Sequence, residues 1–160
     1  MKRNRLSSAL VVTALIAFGV AAQSPPSFAG KWTVVPDPAG GGRGGFGGIG
    51  QSATITQDAT SMTITRTTQM GEFTSVYKLD GSESKNTLNI QGNAVEQLST
   101  AKWDGGKLLV NTKMNFDGNA VETSMTMMLD SSGNLLVETT RPDFQGGGAP
   151  VTTKTTYKKG

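Results

Sequence analysis

The chain has 160 residues, with 15 Lys and Arg against 12 Asp and Glu, and it contains neither Cys nor His. Without Cys there is no disulfide framework and no acylated cysteine behind a leader; without His, the commonest general base and the commonest ligand for zinc, copper or iron are gone. Metal and triad chemistry are therefore not expected, no cofactor is implied, and the chain is read as non-enzymatic.

Lys2, Arg3 and Arg5 form a basic head before the almost wholly apolar run from Ala9 to Ala22, the layout of a secretory signal peptide. Val20-Ala21-Ala22 offers small residues where a signal peptidase reads, so residues 1–22 are taken as the leader, with cleavage expected before Gln23. Ser27-Phe28-Ala29 is a second candidate, farther from the apolar run. That run falls short of the roughly 20 residues a spanning helix needs, so no stable membrane insertion is expected after cleavage. Export implies a periplasmic or extracellular location. Three basic residues depart with the leader and leave a formally neutral chain, which removes nucleic acid and anionic lipid as expected partners.

Residues 23–29 are read as a short linker and residues 30–160 as a single domain, a length within the ordinary range for one core. A first strand is predicted around Lys31 to Val35. The segment 36–50, PDPAGGGRGGFGGIG, is a Gly-rich loop. It lacks the Lys-Ser or Lys-Thr of a phosphate-cradling loop, and no helix follows it to make a dinucleotide turn.

From Gln51 onward, turn signals recur at the even spacing of successive hairpins, including Asp80-Gly81, Gly92-Asn93, Asp104-Gly105 and Asp117-Gly118. Between them the residues alternate. One phase carries Met62 and Ile64, Phe73 and Tyr77, Leu88 and Ile90, Leu108 and Val110, and Leu135 and Val137; the other carries Glu72, Lys78, Glu96, Lys113, Glu122 and Lys154. Burying the first phase puts every one of those charges in water, whereas a slip of one residue would reverse them all. The pattern predicts an all-β fold, an antiparallel up-and-down meander of about 8–10 strands, too many for a strongly twisted open sheet and so closed into a barrel or folded over into a two-layer clam, with a sandwich as the remaining alternative. The acidic residues fall in turns or in the outward phase, which is unsuited to paired-carboxylate hydrolysis.

Gly30-Lys31-Trp32, preceded by Phe28, resembles the Gly-x-Trp opening of lipocalins and the similar start of fatty-acid-binding proteins. Thr155-Thr156-Tyr157-Lys158-Lys159 is similar to the last strand of the fatty-acid-binding family, which ends Arg-x-Tyr-x-Lys, and Trp103-Asp104-Gly105-Gly106-Lys107-Leu108 resembles its late hairpins. The resemblance implies a calycin-type barrel with an internal cavity for an apolar ligand. It also departs in two places: the Gly-rich loop stands where that family has a helical lid, and Thr155 replaces the carboxylate-gripping Arg, leaving Tyr157 in register.

Arg66 and Arg141 fall mid-strand in the inward phase, and a buried guanidinium requires an acceptor from a ligand or from the protein; the alternative for Arg66 is a side chain that snorkels out to solvent at a strand end. In lipocalins an Arg from the end of the barrel packs over the Gly-x-Trp ring, so the resemblance assigns Arg141 and Trp32 to barrel closure, the alternative to a ligand contact for Arg141. Phe73, Tyr77, Met114, Phe116, Met125 and Met127 are candidates for an adaptable lumen lining, with Arg66, Arg141 and Tyr157 as its polar members. An ordinary packed core is the competing reading of the same side chains. The inward Thr112, Thr123, Thr139 and Thr153 favour a cavity, since buried hydroxyls need partners. The expected function is binding of a small apolar or amphipathic ligand in the lumen; the alternative is a non-catalytic envelope scaffold or protein-interaction module, with no protein partner named by the sequence.

Overall fold

Short alternating segments bounded by Gly and Asp turns give strands, and the computed structural model, which describes residues 24–36, 48–116, 118–143 and 147–160, contains ten of them and no helix among the described residues. The expected leader, 1–22, and most of the Gly-rich segment, 37–47, lie outside the described residues. The strands are β1 (Gly30–Val34), β2 (Ser52–Gln57), β3 (Ser61–Thr68), β4 (Gly71–Lys78), β5 (Asp80–Ile90), β6 (Asn93–Asp104), β7 (Lys107–Phe116), β8 (Asn119–Leu129), β9 (Leu135–Arg141) and β10 (Val151–Lys159). All pair antiparallel in one sheet of order β4-β3-β2-β1-β10-β9-β8-β7-β6-β5. Every pairing joins sequence neighbours except that of β1 with β10, which brings the two ends of the meander together. The result is a nearly closed up-and-down barrel.

Burial follows the alternation. Met62, Ile64, Tyr77, Leu108, Val110, Met127, Leu135 and Val137 are all buried, whereas Lys78, Glu96, Lys113, Glu122 and Lys154 are exposed on the opposite phase. On that outer wall, neighbouring strands pair Lys85 with Glu96, Lys113 with Glu122 and Lys154 with Glu138. Such solvent-exposed pairs contribute little to stability and mainly fix which face looks outward.

Chain reversal uses residues that accept positive φ. At the β5–β6 turn the two central residues are Gln91 and Gly92, with φ of 52° and 86°, one position earlier than the expected Gly92-Asn93 pair. Both values belong to a primed turn, whose twist matches that of the strands it joins, and Gln91 occupies its left-handed position against its own preference. The β2–β3 turn is held differently: the Asp58 carboxylate accepts hydrogen bonds from the N–H and hydroxyl of both Thr60 and Ser61.

Asp80-Gly81 does not form the expected ladder-closing hairpin, because β4 and β5 make no backbone ladder. Ser82 turns back onto the Asp80 carboxylate and the β5–β6 register shifts between Asp80 and Glu83, so β5 leaves the turn at the wrong spacing for β4. Side chains bridge this seam instead. Asn86 accepts from the Val76 N–H at 2.8 Å and donates to the Val76 carbonyl at 3.0 Å, and Ser84 Oγ accepts from the Lys78 N–H at 2.8 Å.

One end of the barrel is sealed by residues that precede β1. Phe28 is fully buried; its carbonyl accepts a 2.8 Å hydrogen bond from Trp32 Nε1, and its N–H donates to Gln57 Oε1. The Gln57 amide completes the contact by donating to the Pro26 carbonyl. Residues 26–29, expected as linker, are thus part of the packed end, because the Phe28 ring has no other way to leave water and stacks 5.4 Å from Trp103. The last residues of the Gly-rich segment also dock rather than loop freely. Ile49 is buried in the same core, and Gly50 (φ +84°) passes so close to β3 that a Cβ there would lie 2.5 Å from the Thr67 carbonyl oxygen.

Candidate functional site: the barrel interior

Strand alternation sends two kinds of side chain into the interior, and they segregate. The larger apolar cluster surrounds Phe28, Trp32, Ile49, Ile55, Met62 and Tyr157; a smaller one contains Phe73, Leu88, Ile90 and Val95, with Met114 packed against it. Buried polar side chains occupy cross-strand rows flanking these clusters. Ser75 Oγ donates to Gln97 Oε1 at 2.9 Å, and Ser99 and Thr112 share a hydrogen bond of the same length, so these groups satisfy one another without water. Thr139 Oγ1 is the exception: among the described residues it is buried with no hydrogen-bond partner.

The candidate lumen residues separate accordingly. Tyr77, Met127 and Tyr157 are fully enclosed, and Phe73 belongs to the smaller cluster. Met114, Met125, Arg66 and Arg141 are half-buried on the inward phase, as are Thr123 and Thr153. Register places Arg141 next to Val151, Thr139 opposite Met125 and Thr153, and Thr123 opposite Thr112, so this partly open inner surface runs across β7 to β10. The side chain of Phe116 lies outside the described residues.

Tyr157 is tied to the plug. Its hydroxyl donates to the Gly50 carbonyl at 3.0 Å, and a Cβ on Gly48 would stand 2.7 Å from the same hydroxyl. Burial pushes the phenol up to about 12 from its ordinary 10, against the opposing pull of a backbone hydrogen bond at Ile49 and of the Arg66 charge.

Arg141 does not close the barrel over Trp32. The Trp32 ring carries Lys159 Nζ at 5.6 Å, because Lys159 is its direct cross-strand neighbour on β10, whereas Arg141 pairs with Val151 at the other end of that strand. Sequence order suggested an Arg near the end of the chain; only the β1–β10 register shows that the last lysine arrives first.

Arg66 sits on β3 between Ala53 and Phe73, with its guanidinium 5.9 Å from the Phe73 ring centroid. Among the described residues it makes no ion pair or hydrogen bond, and no Asp or Glu lies on the inward phase of any strand. A half-buried guanidinium in such surroundings has the Phe73 ring as its neighbour and room for an acceptor from solvent or from a ligand.

The wall also carries an open groove of about 600 Å³. Its lining mixes exposed outer-phase residues such as Asn111, Lys113, Glu122 and Ser124 with the inward-phase Ser99, Thr112, Thr123 and Arg141, and it includes Pro142 and Pro150. Alternation along a strand gives no sign of this groove, which is formed by residues of several neighbouring strands together. Among the described residues no group of His, Cys, Asp and Glu is placed to hold a metal ion.

The architecture is compatible with the calycin-like barrel expected from the sequence. No protein-family model matches the chain, and no curated protein does.

Proposed function

We propose that this chain is an exported barrel that holds a small amphipathic molecule in its interior, with the apolar part against Met114 and Met125 and a polar or anionic head at Arg66. The single observation that supports this most is Arg66: an inward, half-buried cation beside Phe73, with neither an ion pair nor a hydrogen bond among the described residues. A protein gains nothing from leaving such a group unmatched, and a ligand head supplies the missing acceptor. The unpartnered Thr139 hydroxyl, on the inward phase of β9, offers a second polar contact inside the barrel.

Displacement of anilinonaphthalene sulfonate, an anionic apolar probe whose fluorescence rises out of water, tests the reading. The unmodified protein should bind it, and Arg66→Met, which keeps the length and loses the charge, should weaken it by about tenfold while leaving an uncharged analogue unaffected. Equal loss for both probes, or no binding by the unmodified protein, counts against the proposal.

The open groove favours a second reading, a non-catalytic envelope scaffold whose wall docks another protein. Crosslinking in the native envelope separates the two, because a scaffold captures a protein partner whether or not the interior is filled.

A further inference from the structure

The binding reading sets the apolar part of the ligand against Met114 of β7 and Met125 of β8, and the register puts a polar row between those two side chains. Met114 pairs with Val121, Thr112 with Thr123, and Val110 with Met125, three successive inward rows of the β7–β8 pair. Anything that touches both methionines therefore crosses Thr112 and Thr123. Thr112 is already engaged, sharing a 2.9 Å hydrogen bond with Ser99, whereas the half-buried Thr123 hydroxyl has no hydrogen-bond partner among the described residues.

Hydroxyls continue beyond Met125. Directly opposite it on β9 stands Thr139, 5% exposed, whose Oγ1 has no hydrogen-bond partner among the described residues, and Thr139 pairs in turn with the inward Thr153 of β10. Arg141 follows on the same face of β9 and lines the open groove of about 600 Å³ together with Ser99, Thr112 and Thr123. Each of these hydroxyls can either donate or accept. A saturated hydrocarbon laid here would cover Thr123 and leave Thr139 unsatisfied, so the surroundings of Met125 suit an oxygen better than a methylene. The Met114 end differs. That side chain packs against the cluster of Phe73, Leu88, Ile90 and Val95, and the Phe73 ring has the Arg66 guanidinium 5.9 Å from its centroid.

From this arrangement we infer that the ligand is an amphiphile hydroxylated part-way along its apolar portion, with its anionic head at Arg66, a hydrocarbon stretch against Phe73 and Met114, and a hydroxyl held by Thr123 and Thr139 beside Met125. The inference rests on the lumen-binding reading above and narrows it from amphipathic molecules in general to hydroxylated ones. The ligand hydroxyl donates to one threonine oxygen and accepts from the other, which gives the buried Thr139 group the partner that the protein itself does not supply.

Oleate and ricinoleate, which is oleate with one mid-chain hydroxyl, isolate that group. Both should displace anilinonaphthalene sulfonate from the unmodified protein, ricinoleate with a Kd about tenfold lower. Thr123→Val/Thr139→Val keeps the side-chain shape and removes both hydroxyls. It should bring ricinoleate to the affinity of oleate, leave oleate no weaker, and leave the urea midpoint no lower, since the Thr139 hydroxyl has no bond to lose. Arg66→Met should weaken both acids alike. Equal displacement by the two acids, none included, or a ricinoleate preference that survives the double substitution, overturns this inference and leaves the lumen reading standing. Failure of the unmodified protein to bind the probe or either acid overturns both.

Discussion

Replacing Tyr157 by Phe isolates the bond that holds the docked end of the Gly-rich segment. The substitution keeps the ring in the core and removes only the hydroxyl, which donates to the Gly50 carbonyl at 3.0 Å. A net hydrogen bond contributes about 1 kcal/mol, and a buried carbonyl left unsatisfied adds a desolvation cost, so the expected loss is about 2 kcal/mol. Urea unfolding followed by the fluorescence of Trp32 and Trp103 should show a lower midpoint with an unchanged slope, since the surface exposed on unfolding is the same. The pH dependence supplies a second signature. The folded protein binds the phenol proton more tightly than the unfolded chain, so the stability this group contributes is whole below pH 10 and is lost as pH rises from 10 through about 12. The unmodified protein should lose stability across that window by more than Tyr157→Phe does. Equal midpoints at neutral pH, or parallel alkaline profiles, would refute the assignment of this bond as the anchor of Ile49 and Gly50.

Gln91→Asn should raise thermal stability by about 1 kcal/mol, because Asn tolerates the left-handed conformation that Gln91 adopts at φ 52° and Gln does not; a melting temperature that stays level or falls would show that the turn carries no such strain. Asp58 is held down to about 2 from its ordinary 3.8, first by the Thr60 N–H, then by the Thr60 hydroxyl and the matching groups of Ser61. Its folded form binds a proton less readily than its unfolded form, so its contribution to stability is present above pH 3.8 and disappears as pH falls through about 2. Asp58→Asn should consequently flatten the acid limb of the stability profile measured by urea unfolding, and a limb identical to that of the unmodified protein would count against this account.

The alternation of apolar and polar residues carried the inward phase and an antiparallel meander of about 8–10 strands, of which the structure has ten, because period-2 patterning is a property of each strand by itself and one slipped residue would expose the whole core. The two polar inward residues of greatest interest were also visible there, since Arg66 and Arg141 break the pattern in sequence. Their fates were not. Arg141 lost its expected place over Trp32 to Lys159, and Arg66 acquired Phe73, because each outcome is decided by which residues meet across strands and by the register at which they meet. The seam shows the same division. Asp80-Gly81 has the composition of a tight hairpin turn, yet the Ser82 bond to Asp80 and the shifted β5–β6 register go with a β4–β5 junction that has no ladder and is bridged by the Asn86 and Ser84 side chains. Local patterning fixes which way a side chain points, but closure of a barrel is a condition on all its strands together, so the packing of Phe28 and Ile49, the Lys159 contact over Trp32 and the Asn86 bridge to Val76 exist only once the whole circuit is drawn.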